Sequence, residues 1–236
     1  MLFRLFSTPF FGLLLSLFSA TLDAKVSLDG KTLHYVGEIS QENNTKFQAL
    51  YEQAKDKPTL LAITSGGGNI DLGMDLADLV LEYNLDVRVD TFCFSSCANY
   101  VFTSGHHKWL GANAILGWHG DAASAYWRDS DIDNMVGHLT EPRRSQEWQR
   151  LRQHYNDVIK RAILREKALF QRLGIDHSLL TIGLRSDIAK IAIERQARGW
   201  TMSPEQLLIM GLTNIKSDAT PWYPKLNKQF PLIIIE

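Results

Sequence analysis

Between Leu33 and Trp118 the chain switches repeatedly between two periods, and no other feature limits its fold so strongly. Leu33 to Ile39 alternates as a strand does, with Gly37 placed for a bulge. From Asn43 to Lys55, Phe47, Leu50, Tyr51 and Ala54 recur at helical spacing, and Pro58 ends that segment. Thr59 to Ile63 is a short apolar run, as in a buried parallel strand. A helix from about Ile70 to Tyr83, an alternating strand from Leu85 to Thr91 and a helix from Ser96 to Thr103 follow. Lys108 to Leu110 and Ala114 to Trp118 read as two further short strands. Strands that alternate with helices need crossover connections, so the sheet is expected to be mostly parallel, with functional groups on the loops beyond the strands' carboxyl ends. The second half is expected to be helical, over Glu141–Leu173, Ser186–Arg198 and a segment begun by Ser203-Pro204-Glu205-Gln206, with an edge strand at Leu212–Ile215. The polar segment from Asp121 to Pro142, with Tyr126 and Trp127, reads as a loop or a lid. The tail from Pro221 has no assignable period.

The first residues have a different character. Arg4 is the only charge before Asp23, Phe10 to Phe18 is almost wholly apolar, and Ser19, Ala20 and Ala24 are small. That is the layout of a secretory signal peptide over residues 1–24, followed by one domain over residues 25–236; the alternative is an uncleaved membrane anchor. Export places Cys93 and Cys97 in an oxidising compartment. A turn leading into a helix would let the two close a disulfide around Ser95, whereas a regular helix would leave them as small buried residues. Two cysteines do not complete a metal site, and adjacent His106 and His107 point apart if extended, so no metal is expected. A net charge of −1 gives no sign of a nucleic-acid surface, and no cofactor motif is present. The glycine turn lacks the lysine of a phosphate-binding loop.

Three loops in this frame carry chemistry. Gly66-Gly67-Gly68 can turn sharply and offer backbone N–H groups to an anion, although a plain strand-to-helix turn uses the same residues. Ser95 stands where a helix begins, either as a cap or as a nucleophile favoured by the positive helix end, and Ser96 is its rival. His119 ends an apolar run and is placed to act as a base. Together they are the parts of an acyl-transfer site.

Four segments resemble the Clp protease proteolytic-subunit and crotonase superfamily, most of all its exported serine-protease-like branch. They are the strand Leu33–Ile39, the loop Ile63-Thr64-Ser65-Gly66-Gly67-Gly68, the turn Cys93-Phe94-Ser95-Ser96-Cys97-Ala98, and Met202-Ser203-Pro204-Glu205 leading to Gly211-Leu212. The resemblance implies a crotonase-like (Clp-protease-like) α/β fold, a mostly parallel sheet with flanking helices. It also implies a serine hydrolase of the peptidase kind acting on peptide or protein, and a homo-oligomer. By position it makes Ser95 the nucleophile, His119 the base, and the N–H groups of Gly67 and Ser96 the oxyanion donors. The family's aspartate before the closing helix is missing; Glu194 is the nearest carboxylate and Asp187 lies one helix earlier. One of these serves from a shifted position, or the site is a dyad, or the protein is an inactive binding or assembly module of the cell envelope. A coenzyme-A enzyme on the same fold is disfavoured by export.

Overall fold

The computed structural model describes residues 25–125, 127–226 and 228–236, so the proposed leader and Tyr126 lie outside the described residues. A seven-stranded sheet runs β1-β2-β3-β4-β5-β8, with β6 also paired to β4. The strands are β1 (Lys25–Asp29), β2 (Thr32–Val36), β3 (Leu60–Ser65), β4 (Asp86–Phe94), β5 (Lys108–Leu110), β6 (Ile115–Gly117) and β8 (Ile215–Ser217). Only the β1–β2 hairpin is antiparallel; every other pairing in this sheet is parallel. The chain is therefore α/β with a mostly parallel sheet, built from the crossovers that the alternating periods require. Helix α1 (Gln41–Gln53) connects β2 to β3; β3 buries Leu61, Ile63 and Ser65, and the crossover helix α2 (Ile70–Glu82) buries Met74, Leu76, Ala77 and Val80. Each aliphatic side chain fully removed from water in this way contributes about 1.5–3 kcal/mol before ordering costs.

One strand does more than the others to place the loops. β4 pairs with β3 on one edge, and on the other it pairs first with β5, through Val87–Val89, and then with β6, through Phe92–Phe94. The β3–β4 register shifts between Ile63 and Ser65, so that Ser65 comes to lie beside Cys93. This shift brings the glycine turn and the Ser95 turn to the same end of the sheet.

In the second half, α3 (Asp129–Val136) occupies a segment expected to be a loop, and α4 (Arg143–Leu173) is the long charged helix. α5 spans Ser186–Glu194, four residues shorter at its end than expected, because Gln196 adopts φ +53°. α5 buries none of its residues, and Ile191 on its expected apolar side is exposed. β7 (Trp200–Met202) and β9 (Ile233–Ile235) form a second, two-stranded parallel sheet. The tail that carried no readable period thus ends as a strand, with α6 (Pro204–Ile209) just after β7. The edge strand expected at Leu212–Ile215 begins at its last residue and runs on to Ser217. Among the described residues no helix is long and apolar enough to cross a membrane.

Candidate active site

Ser95 follows directly on β4 and has φ +53°, the left-handed region that side chains with a Cβ avoid. Such a conformation costs about 1–3 kcal/mol and persists only where neighbours enforce it. Here several do. The Ser95 N–H donates to the Gly117 carbonyl at 3.0 Å, and the Ser95 carbonyl accepts from the Asn99 N–H at 2.7 Å. Cys93 and Cys97 are joined by a disulfide across the turn, with Cα atoms 5.4 Å apart, and both are fully buried. The following residues, Cys97–Phe102, form a short π-type helix that is buried throughout.

Gly67 lies against this turn with φ +97°. A Cβ there would sit 2.8 Å from the Phe94 carbonyl oxygen, 2.8 Å from Ser95 Cβ and 3.0 Å from Ser96 N. No other residue type fits. The turn is sharp, as expected, but its N–H is not open to a ligand. Gly67 N–H donates to Ser65 Oγ at 3.0 Å, because Ser65 is fully buried and its hydroxyl is the acceptor within reach. The expectation that Gly67 supplies an oxyanion donor is corrected to that extent. Ser96 N–H takes no hydrogen-bond partner among the described residues and remains available. The Ser96 side chain is buried and donates to the Gly68 carbonyl at 2.9 Å, which removes it as a rival nucleophile.

His119 Nε2 lies 2.7 Å from Ser95 Oγ. Three clamps hold the segment that carries it. Trp118 and Trp200 exchange backbone hydrogen bonds of 2.9 and 2.8 Å, tying the residue before His119 to β7. Asn99 Nδ2 donates to the Gly120 carbonyl at 3.0 Å, tying the residue after it to the helix Cys97–Phe102 that follows the Ser95 turn. Ala122 N–H donates to Glu166 Oε2 at 3.0 Å. His119 is exposed to solvent, yet protein crowds its ring closely enough to disfavour a charge there. Burial pulls its pKa below the ordinary histidine value, and a hydrogen bond to its own backbone opposes the shift only in part.

Glu166 was not among the residues that sequence patterns marked. It is 1% exposed and gathers three partners: Tyr100 O–H donates to Oε2 at 2.7 Å, Ala122 N–H to the same oxygen, and His177 Nε2 lies 2.8 Å from Oε1. A signal was present. On α4 the buried positions are Ala162, Glu166, Leu169 and Phe170, so a carboxylate stands inside the apolar stripe. Tyr100 belongs to the helix after Ser95 and Ala122 to the loop after His119, so this one carboxylate joins the two halves of the site.

The expected third residue does not reach the pair. Among the described residues no carboxylate is bonded to His119. Asp187 is exposed and bound to Arg185 at 2.9 Å, and Glu194 is exposed on the solvent side of α5. Neither Glu194 nor Asp187 orients the ring, because α5 packs with its polar residues outward. The arrangement is a serine–histidine dyad on a strained turn, which can exchange a proton between hydroxyl and imidazole. Two groups of side chains could hold a metal ion, Asp86 with His106 and His107, and Asp121 with Glu166 and His177. In the second, Glu166 already has its three partners, and Asp121 accepts from Ser124 N–H and Oγ.

Taken together, sheet and site define an α/β protein with a serine–histidine pair at the carboxyl end of a central strand. Among solved structures the chain is similar to ClpP1 from Listeria monocytogenes at 17% identity and a TM-score of 0.35, covering 50% of this chain and 77% of that one. No family model matches this chain, and no curated protein matches it.

Proposed function

We propose that this chain is an exported serine hydrolase of the peptidase kind, acting on peptide or protein substrates through a Ser95–His119 dyad. The observation that carries the reading is the 2.7 Å separation of Ser95 Oγ and His119 Nε2, with Ser95 held at φ +53°. The lowered pKa favours the neutral imidazole, whose Nε2 can accept the hydroxyl proton as Oγ attacks an acyl carbon. The Ser96 N–H then faces the negative charge on the carbonyl oxygen. Among the described residues no carboxylate contacts His119, and the hydrogen bonds on either side of it hold its segment in place instead. The Cys93–Cys97 bond supports export, since such bonds persist in oxidising compartments. The sequence pattern of residues 1–24 agrees with this, and assembly into a homo-oligomer is part of the same proposal.

A fluorophosphonate probe tests the reading. Covalent labelling of the wild type that disappears in Ser95→Ala and falls steeply in His119→Ala is the expected result. A folded wild type that takes no label points to the second reading, an inactive binding or assembly module. The occupied Gly67 N–H and the missing acid favour that alternative.

A further inference from the structure

At the opposite end of β4 from Ser95, Asp86 opens the strand and meets the turn that leads into β5. His106 and His107 occupy that turn. Their backbones are fixed to β4 on both sides of Asp86: His106 N–H donates to the Leu85 carbonyl, and Val87 N–H donates to the His107 carbonyl, each at 2.9 Å. His107 N–H also donates to Asp86 Oδ1 at 3.0 Å. Extended chain would send the two rings to opposite sides. The bend before β5 instead brings both onto one face, edge to face with centroids 4.4 Å apart.

Both Nδ1 atoms then face the same carboxylate oxygen. His107 Nδ1 lies 2.9 Å and His106 Nδ1 3.5 Å from Asp86 Oδ1, and the three ligand atoms fall within 4.8 Å of one another. Two ligands bound at about 2.0–2.1 Å to a tetrahedral zinc ion stand about 3.3 Å apart. The two Oδ1–Nδ1 separations bracket that value. The His107 contact is a hydrogen bond, whereas His106 Nδ1 stands 3.5 Å from the same oxygen and pairs with it ionically only when that ring is protonated. All three side chains retain solvent access, with His106 half exposed, which leaves room for water to fill the remaining positions.

We propose that Asp86, His106 and His107 form a three-ligand site for a divalent transition-metal ion. Two imidazoles and one carboxylate suit zinc, copper, nickel or cobalt rather than calcium or magnesium. The donors stand on backbone already laddered to the sheet, so the ion would find them in place. β4 is nine residues long, which puts the site about 30 Å from Ser95, too far for any part in the chemistry there. Its effect would be to pin the turn before β5 to the start of β4.

Titration calorimetry of the full chain, free of any histidine tag, with zinc alone tests this. One saturable ion per chain is expected, with affinity falling by more than about 100-fold in His106→Ala and in His107→Ala. His106 is exposed, so its removal leaves the fold intact. Cobalt serves as a second probe: the visible absorption of a low-coordinate ion should appear with wild type and vanish with His106→Ala. No saturable binding overturns the proposal. So does binding that both variants retain, or binding lost only in His177→Ala, which would place the ion at the Asp121, Glu166 and His177 group.

Discussion

Removing the Glu166 carboxylate should loosen the site from behind without touching either reacting residue. In Glu166→Ala the buried Tyr100 hydroxyl and Ala122 N–H lose their acceptor, and so does the part-buried His177 ring. Each orphaned buried polar group costs about 1–3 kcal/mol. These costs overlap in part, so a loss of about 3–5 kcal/mol is expected. At about 2–4 °C per kcal/mol for a domain of this size, the melting temperature should fall by about 6–20 °C. Glu166→Gln keeps an acceptor for Tyr100 and Ala122 and should cost about a third as much. Thermal unfolding followed by circular dichroism gives the stability. The rate of fluorophosphonate labelling, measured well below the transition, gives the site. Because Ala122 lies three residues from His119, a shift of about 1 Å there should slow labelling by about 100-fold in Glu166→Ala. A variant that loses less than about 1 kcal/mol and labels at the wild-type rate would refute the idea that Glu166 braces the His119 segment.

The pH dependence follows from the depressed pKa of His119. Protonation removes the base, and burial moves that event below the ordinary value of 6.5, so the acid limb of labelling should lie below pH 6.5. An acid limb above that value contradicts the burial account. Gly67→Ala should abolish labelling, since the added methyl meets Phe94 O and Ser95 Cβ at 2.8 Å and forces a φ of +97° on a residue with a side chain. A labelled Gly67→Ala protein would show that the turn is more pliable than its packing implies.

Much of the fold was legible because β3, α2 and β4 are long enough to display a period. β7 and β9 were not. A three-residue strand such as Trp200-Thr201-Met202 has too few positions to alternate, and all three of its residues are buried. The site was legible where local backbone demands are local in sequence: Ser95, His119 and the glycine turn. It failed where a contact crosses the chain. Glu166 reaches its partners 66 and 44 residues away. The acid sought at Glu194 or Asp187 was inferred from a position in a family pattern, and the outward-facing α5 does not honour that position. His106 and His107 misled for a third reason, since adjacency implies divergence only in straight chain.

The disulfide that spans the Ser95 turn makes the shape of that turn conditional on where the molecule resides. In a reducing interior the two sulfurs would be thiols, and the left-handed serine would lose a covalent brace that its neighbours only partly replace. Under the proposed function, a newly made copy would then carry a poorly formed Ser95 turn until it met an oxidant.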